Sequence, residues 1–379
     1  MKSKAAVLHG THQEWQIEEI EVDAPKVGEV IVEWKAAGLC HSDEHLVTGD
    51  MVPPGEAAAA MFPAIGGHEG AGVIVEAGPG VTSVAVGDHV SASFVPSCGK
   101  CRYCSTGRQN LCDAGGGTFL KGMITDGTSR HHFADGSADP MLFAKLGTFS
   151  QYTCVSTDQV IKVDTDLPLE AVALVSCGVA TGWGSATNRA AVAPGDTVVV
   201  VGIGGIGINA VQGAAMAGAR RVVAVDPIEF KREKAMEFGA TETFASMEEA
   251  LPAVTELTHG MMADKVIMTP GVLYGDLMAL GTQLAGKGGT IVVTGIAPMT
   301  QTESSVNLFE LAMWNKEIKG TIFGSLNPRA DIPRLLDLYR GGQLKLDELI
   351  TNRYSLEEIN DGYQAMRDGT NIRGVVVHG

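Results

Sequence analysis

The chain has 379 residues, of which 45% are hydrophobic and 19% charged, with 48 glycines and a formal charge of −16. That length exceeds one ordinary core and fits two domains, and the composition excludes a disordered chain. An acidic balance without any basic run argues against general affinity for nucleic acid or anionic membranes, which recruit clustered Lys and Arg.

The N-terminal run MKSKAAVLHG has lysines but no apolar stretch and no small-residue cleavage site, so a secretory leader is not expected and a cytoplasmic address is. Over the first 150 or so residues, short β-branched runs such as VGEVIVEWKAAGL, GAGVIVEAGPGV and AVGDHVSASF are punctuated by Gly, Pro and Asp. They predict an all-β, barrel-like domain, with GEAAAAMFPA read as a loop. From about Ser176, strand-like and helix-like runs alternate: TVVVVGIG with INAVQGAAMAGA, RRVVAVD with FKREKAMEFGA, ADKVIMTPG with LYGDLMALGTQLAGKG, then GTIVVTGIA. That rhythm predicts a parallel sheet covered by helices. Thr197 to Ala219 is uncharged over a length that could span a bilayer. Its β-rich run, glycine turn and Ala-rich stretch read instead as a buried strand feeding a helix. Beyond Lys319, IKGTIFGS reads as a strand, DIPRLLDLYRGGQL as an amphipathic helix and RGVVVHG as a last strand, whose domain periodicity does not assign.

In VVVVGIGGIGI, Gly202, Gly204 and Gly207 stand in G-x-G-x-x-G spacing, with Gly205 among them, directly after a strand and before a helix. The first glycine permits the turn, the second lets backbone approach a pyrophosphate, and the third lets helix and strand pack closely. Helix N-terminal N–H groups then face the phosphates. Asp226 ends the next strand, which completes a dinucleotide fingerprint and favours NAD, because a carboxylate can bind both ribose hydroxyls but repels a 2′-phosphate.

Cys98, Cys101, Cys104 and Cys112 follow C-x2-C-x2-C-x7-C, enough to close a tetrahedron around Zn²⁺ within one loop. A bacterial iron–sulfur run would place its fourth Cys after three residues and follow it with Pro, and free redox thiols are the other alternative. Four thiolates leave no open coordination position, so zinc there is structural. A catalytic zinc needs three ligands and a water, and GLCHSDEHL, GGHEGAGVI and VSCGVATGWG offer Cys40, His68 with Glu69, and Cys177. Spacing alone does not pair residues so distant, and each could equally be a buried hydrophobe or a structural histidine.

The ordered set GLCHSDEH, GGHEGAGVI, the four-Cys loop, DGTSR, SCGVATG and VGIGGIG resembles the zinc-dependent medium-chain alcohol dehydrogenases essentially from end to end. The resemblance implies an α/β protein with a GroES-like β-barrel catalytic domain, residues 1–177 with 322–379, and a doubly wound Rossmann NAD-binding domain, residues 178–321, with the active site in the cleft between them. It implies two zinc ions per chain, a catalytic one on Cys40, His68 and Cys177 and a structural one on the four-Cys loop. Asp43 matches the carboxylate that orients the zinc-binding histidine, and Glu69 the glutamate behind the metal that can exchange with water. Ser42 matches the hydroxyl that receives the alcohol's proton, and His45 the end of a relay to solvent. His41 and Arg373 match positions near the pyrophosphate, Lys231 one near the adenosine ribose, Thr181 one beside the nicotinamide, and Phe94 one lining the substrate pocket.

Fuller runs, GTFLKGMITDGTSRHHF, LVSCGVATGWGSA and VDPIEFKREKAMEFGATE, resemble the subgroup assayed with N,N-dimethyl-4-nitrosoaniline (NDMA) and associated with mycofactocin. That implies a small alcohol or aldehyde substrate, tightly held NAD reoxidised in place by an external redox carrier such as mycofactocin, and a homo-oligomer. A conventional dehydrogenase with exchanging NAD and a zinc-module binding or redox-sensing protein stand as alternatives. A glutathione-dependent formaldehyde dehydrogenase would carry an Arg four residues beyond the fourth Cys, where this chain has Gly116.

Overall fold

A computed structural model describes all residues, Met1–Gly379. The chain divides into two units, Met1–Cys177 with Asn327–Gly379, and Gly178–Leu326.

In the first unit, a five-stranded sheet runs in the order His131–Phe133, Gln16–Val22, Lys2–Leu8, Ala64–Ile65, Met141–Leu142. A seven-stranded sheet is built around Glu29–Gly38, which pairs antiparallel with Ala71–Ala77 and Tyr152–Ser156, and at its far end with Arg373–Val377. Because both of its edges are paired, Glu29–Gly38 is buried along nearly its whole length instead of alternating. The pairing of Val376 with Ala37 brings the C-terminal tail into this unit. Trp15, Leu39, Leu46, Phe143, Phe149 and Tyr363 pack in one core cluster. One expectation fails here: the GEAAAAMFPA segment is not a loop but contains the helix Glu56–Met61. Its four alanines, the best helix formers, override the flanking Gly and Pro.

The second unit is a six-stranded parallel sheet in the order Glu242–Phe244, Arg221–Val225, Thr197–Val201, Ala263–Met268, Ala285–Val293, Glu317–Gly320. This is the doubly wound dinucleotide-binding order, whose crevice lies at the carboxyl ends of its strands. Thr197–Val201 is central and buried at every position, and each buried valine contributes about 1.5–3 kcal/mol. The apolar stretch Thr197 to Ala219 is this strand followed by the helix Gly207–Met216. No single helix in the chain is long and apolar enough to cross a membrane.

Candidate functional site

The four-cysteine segment folds back on itself through a one-turn helix, Arg102–Ser105, and a 3-10 turn, Gln109–Leu111. Backbone N–H groups of Cys101 and Cys104 donate to the sulfurs of Cys98 and Cys101, each at 3.4 Å. The Cys98 and Cys104 sulfurs lie 3.9 Å apart and those of Cys101 and Cys112 4.0 Å apart. A tetrahedron with zinc–sulfur bonds of about 2.3 Å has edges of about 3.8 Å, so the sulfurs already outline a zinc cage. These are not disulfide separations, and all seven cysteines are free. The N–H groups of Cys104 and Asp113 hold the Cys101 thiol down to about 6, the thiolate form a metal needs, while burial pushes Cys104 up to about 12.

A second cluster of metal-ligand atoms joins Cys40, His68, Glu69 and Cys177, all buried and all within 4.8 Å of one another. They come from three separate places in the chain. Cys40 is the N-cap of the helix His41–Thr48, in extended conformation directly after the strand Glu29–Gly38. His68 and Glu69 stand between the strands Ala64–Ile65 and Ala71–Ala77, and Cys177 follows the helix Leu169–Val175. Gly67 makes the approach possible: its φ of +89 suits only glycine, and a Cβ would meet the backbone of Phe149.

The charges around this cluster are arranged for a cation. His68 Nδ1 lies 2.9 Å from Asp43 Oδ2, while Asp43 Oδ1 accepts from the Gly67 N–H at 2.7 Å. His68 Nε2 is buried without a hydrogen-bond partner, which is what a metal-binding nitrogen requires. Burial alone would lower the His68 pKa, but Asp43 and Cys40 outweigh it and raise it well above the ordinary value. The two thiols shift in opposite directions: Cys40 is pulled well down by its bond to Cys177 and then, against burial, by His68 and Arg373, while Cys177 is pushed up by Cys40 and burial. Burial pushes Glu69 up to about 7, against the pull of Arg373. The donor set of two sulfurs and one imidazole fits a zinc site with a position to spare, and the four-sulfur cage does not have one.

Arg373 is buried, donating to the Leu39 carbonyl at 3.1 Å and ion-paired with Glu69. His45 is only 2% exposed, its Nδ1 3.1 Å from Asp50 Oδ2, which also accepts from Thr48 Oγ1 at 2.7 Å. Ser42 is half-buried with its hydroxyl 3.7 Å from Cys40 Sγ, and the His41 ring lies 6.2 Å from that of His45. Phe94 meets the His68 imidazole edge-on at 5.8 Å. Sequence reasoning missed its counterpart, Phe143, edge-on to His68 at 5.2 Å, and Phe119, which packs on Phe143 at 5.9 Å. No spacing signals either one. Asp50 was also missed, although its place just past the helix-ending Gly49 puts it within reach of His45.

In the second unit, Gly202 adopts φ +87 with a virtual Cβ only 2.6 Å from the Pro270 nitrogen, and a Cβ on Gly207 would run into the Gly202 carbonyl. Both positions therefore demand glycine, the former for the turn and the latter for the packing of the helix on the strand. Gly204 and Gly205 complete the turn, and Gly204 has open space around its Cβ position. Asp226 Oδ2 accepts from Ile203 N at 2.7 Å and Oδ1 from Ile228 N at 2.9 Å, so the carboxylate is fixed between the glycine turn and the next helix. Each oxygen keeps a further acceptor site for a ribose hydroxyl. Lys231 lies half-buried on the helix Glu229–Glu237, and Thr181 is buried on Gly178–Gly184.

Two family models match: the alcohol dehydrogenase GroES-like domain over residues 26–165 and the zinc-binding dehydrogenase over residues 205–340. An NDMA-dependent alcohol dehydrogenase of Amycolatopsis methanolica is 54% identical over 378 residues, spanning 100% of this chain and 99% of that relative. Alcohol dehydrogenase B of Mycobacterium tuberculosis (strain ATCC 25618 / H37Rv) is 48% identical, covering 99% and 98%. The crystal structure of an alcohol dehydrogenase zinc-binding domain protein from Burkholderia ambifaria superposes with a TM-score of 0.90 at 30% identity, covering 100% of this chain and 99% of that one.

Proposed function

From the premise that this chain belongs to the zinc-dependent medium-chain alcohol dehydrogenase family and is an oxidoreductase acting on alcohols, we propose that it oxidises a small alcohol with NAD it does not release. An external carrier, such as mycofactocin or the artificial acceptor NDMA, then reoxidises the nucleotide in place. The observation that carries the chemistry is the buried set Cys40, His68 and Cys177 with the unpartnered His68 Nε2. The full-length likeness to an NDMA-dependent relative carries the subgroup.

In this reading, zinc on Cys40, His68 and Cys177 supplies Lewis acidity that lowers an alcohol's pKa, and NAD supplies the hydride acceptor. Asp43 orients His68 so that its Nε2 faces the site. Ser42 takes the alcohol's proton and passes it toward His45. Because His45 is buried, the path to solvent continues to Asp50, which is partly exposed. Part-burial works against its charge, but Thr48 and His45 hold the Asp50 carboxyl below its usual range, so it stays an ionised acceptor. Glu69, tied to Arg373, backs the site, and Phe94 lines it. The Gly202, Gly204, Gly205 and Gly207 turn, with His41 and Arg373, takes the pyrophosphate. Asp226 and Lys231 take the adenosine ribose, and Thr181 the nicotinamide. The four-cysteine cage would hold the second zinc.

Four cysteines placed to ligate one metal need to stay reduced, as they do in a reducing compartment, which supports a cytoplasmic address. A homo-oligomer is supported by the strand Glu317–Gly320, paired on one side only, and by the neighbouring helix Leu308–Met313, which buries none of its residues. On that helix Leu308, Phe309 and Met313 are all exposed. A glutathione substrate is not favoured, since Gly116 sits exposed and offers no guanidinium.

Native mass spectrometry of the desalted protein tests these points together. The expected species is an oligomer with two zinc ions and one dinucleotide per chain that turns over an alcohol with NDMA and no added NAD. Loss of the nucleotide on desalting, with turnover restored only by added NAD, would instead establish an exchanging dehydrogenase.

A further inference from the structure

We propose that Lys145 is a positioning residue that sets the alcohol selectivity of this site by clamping the segment after the four-cysteine cage, so that Phe119 stays packed on Phe143 beside His68. The inference rests on the alcohol-oxidising reading above. Lys145 Nζ donates to three consecutive backbone carbonyls, those of Leu120, of Lys121 at 3.2 Å and of Gly122 at 2.7 Å. Lys121 Nζ adds a tie to the Phe62 carbonyl at 3.1 Å.

Three features mark the clamp as more than a surface contact. Lys145 is 7% exposed, and its partners are all carbonyls with no carboxylate among them. Burial pushes its pKa down to about 8, the signature of a cation held without a counter-charge. Its backbone is left-handed, with φ +60 after Ala144 at φ +53, a conformation that strains any residue bearing a Cβ. Glycine would fit there without strain. The strained turn begins at Phe143, whose ring meets His68 edge-on at 5.2 Å and Phe119 at 5.9 Å.

The clamp also sits midway along a segment fixed at both ends. Upstream, the segment leaves the four-cysteine cage at Cys112. Downstream, Arg130 Nε and Nη2 each donate to the buried Glu29 carboxylate at 2.9 Å, and Nη2 to Asp126 at 2.8 Å. Between these anchors Phe119 packs on the core and Met123 is buried, but Leu120 is exposed, so the stretch that joins those two side chains is tied down by the three carbonyl bonds. The chain thus fixes the Phe119 ring through backbone, from a residue that touches neither substrate nor metal.

The test uses the holoenzyme with NDMA as acceptor and compares ethanol with benzyl alcohol in Lys145→Gly, Lys145→Met and Phe119→Ala. Lys145→Gly removes the ammonium and relieves the strained φ, whereas Lys145→Met removes the ammonium and leaves the φ as it is, so the two must shift the ratio alike if the clamp and not the backbone strain sets it. The expected result is a rise of about tenfold in the benzyl-to-ethanol ratio of kcat/KM, carried by KM with kcat little changed. Phe119→Ala should reproduce the rise and add little to it in Lys145→Gly, because both changes act on one wall. An unchanged ratio in Lys145→Gly beside a shifted one in Phe119→Ala overturns the proposal, as do fully additive effects. Hydrogen exchange decides the clamp apart from turnover: amides of Phe119–Met123 should exchange faster in Lys145→Gly, and unchanged protection overturns it even in a protein that oxidises neither alcohol.

Discussion

The two cysteine clusters of this chain solve opposite problems. Cys98, Cys101, Cys104 and Cys112 come from one short loop, two of them half-buried, and are held mainly by backbone N–H groups and by one another. Cys40, His68 and Cys177 come from the ends of separate elements, lie fully buried, and are surrounded by Asp43, Glu69 and Arg373. A local cage closes on its metal and staples a loop. A distributed set leaves a coordination position open, and the rest of the fold must hold its ligands apart and balance their charge. On the proposed assignment, the conspicuous cluster in the sequence and the cluster that turns over substrate are therefore different ones.

The sharpest way to break that comparison is Cys177→Ala. Zinc analysis should fall from two ions per chain to one, the survivor on the four-cysteine cage, and turnover should drop at least about a thousandfold, since Lewis-acid activation is worth several kcal/mol. Normal turnover in that variant would remove the catalytic assignment. Cys104→Ser is the reciprocal change. It should also leave one zinc, now on Cys40, His68 and Cys177, with a melting temperature lower by roughly 5–10 °C and activity well above that of Cys177→Ala. Equal losses of activity in the two variants would erase the distinction between staple and reaction centre. Asp43→Asn is a smaller step: the histidine loses its anionic partner, and a zinc-chelator titration should show roughly 10–100-fold weaker retention at one site only.

How much of this was legible follows the same division. The cage and the glycine turn could be read because their parts are close in sequence and each position has a mechanical reason, as Gly202 and Gly207 show. The parallel sheet was legible from alternating runs, since a strand buried on both faces reads as a continuous apolar stretch such as Thr197–Val201. The helix Glu56–Met61 was misread because Gly and Pro punctuation outweighed alanine propensity. The grouping of Cys40, His68 and Cys177 came from family resemblance, and nothing in their spacing supplies it. Phe119, Phe143 and Lys145 were illegible for one reason: each matters through a contact made only when strand ends and loops converge, whereas Asp50 meets His45 locally, just past the end of one helix.

His131 sharpens the comparison from the other side, as a buried histidine that is no ligand. Its Nε2 accepts from the Cys154 N–H at 3.0 Å, so the ring is neutral with its proton on Nδ1, and no carboxylate is bound to it as Asp43 is to His68. Burial, with smaller contributions from His132 and Arg130, pushes its pKa down to about 3. The unfolded chain takes up a proton near pH 6.5, which the folded chain refuses until about pH 3. The neutral ring therefore contributes its full stability above pH 6.5, and that contribution is lost as the pH falls through this window. His378, pushed down to about 4 by burial, acts with the same sign. In His131→Gln the amide oxygen can still accept from Cys154 but does not titrate. Urea midpoints at about pH 7 and about pH 5 should then show a shallower acid slope, by up to about 1.4 kcal/mol per pH unit, with zinc content and turnover at neutral pH unchanged. An identical slope in the variant would mean that this ring protonates in the fold at no more cost than in water, and burial would not be what separates the two histidines.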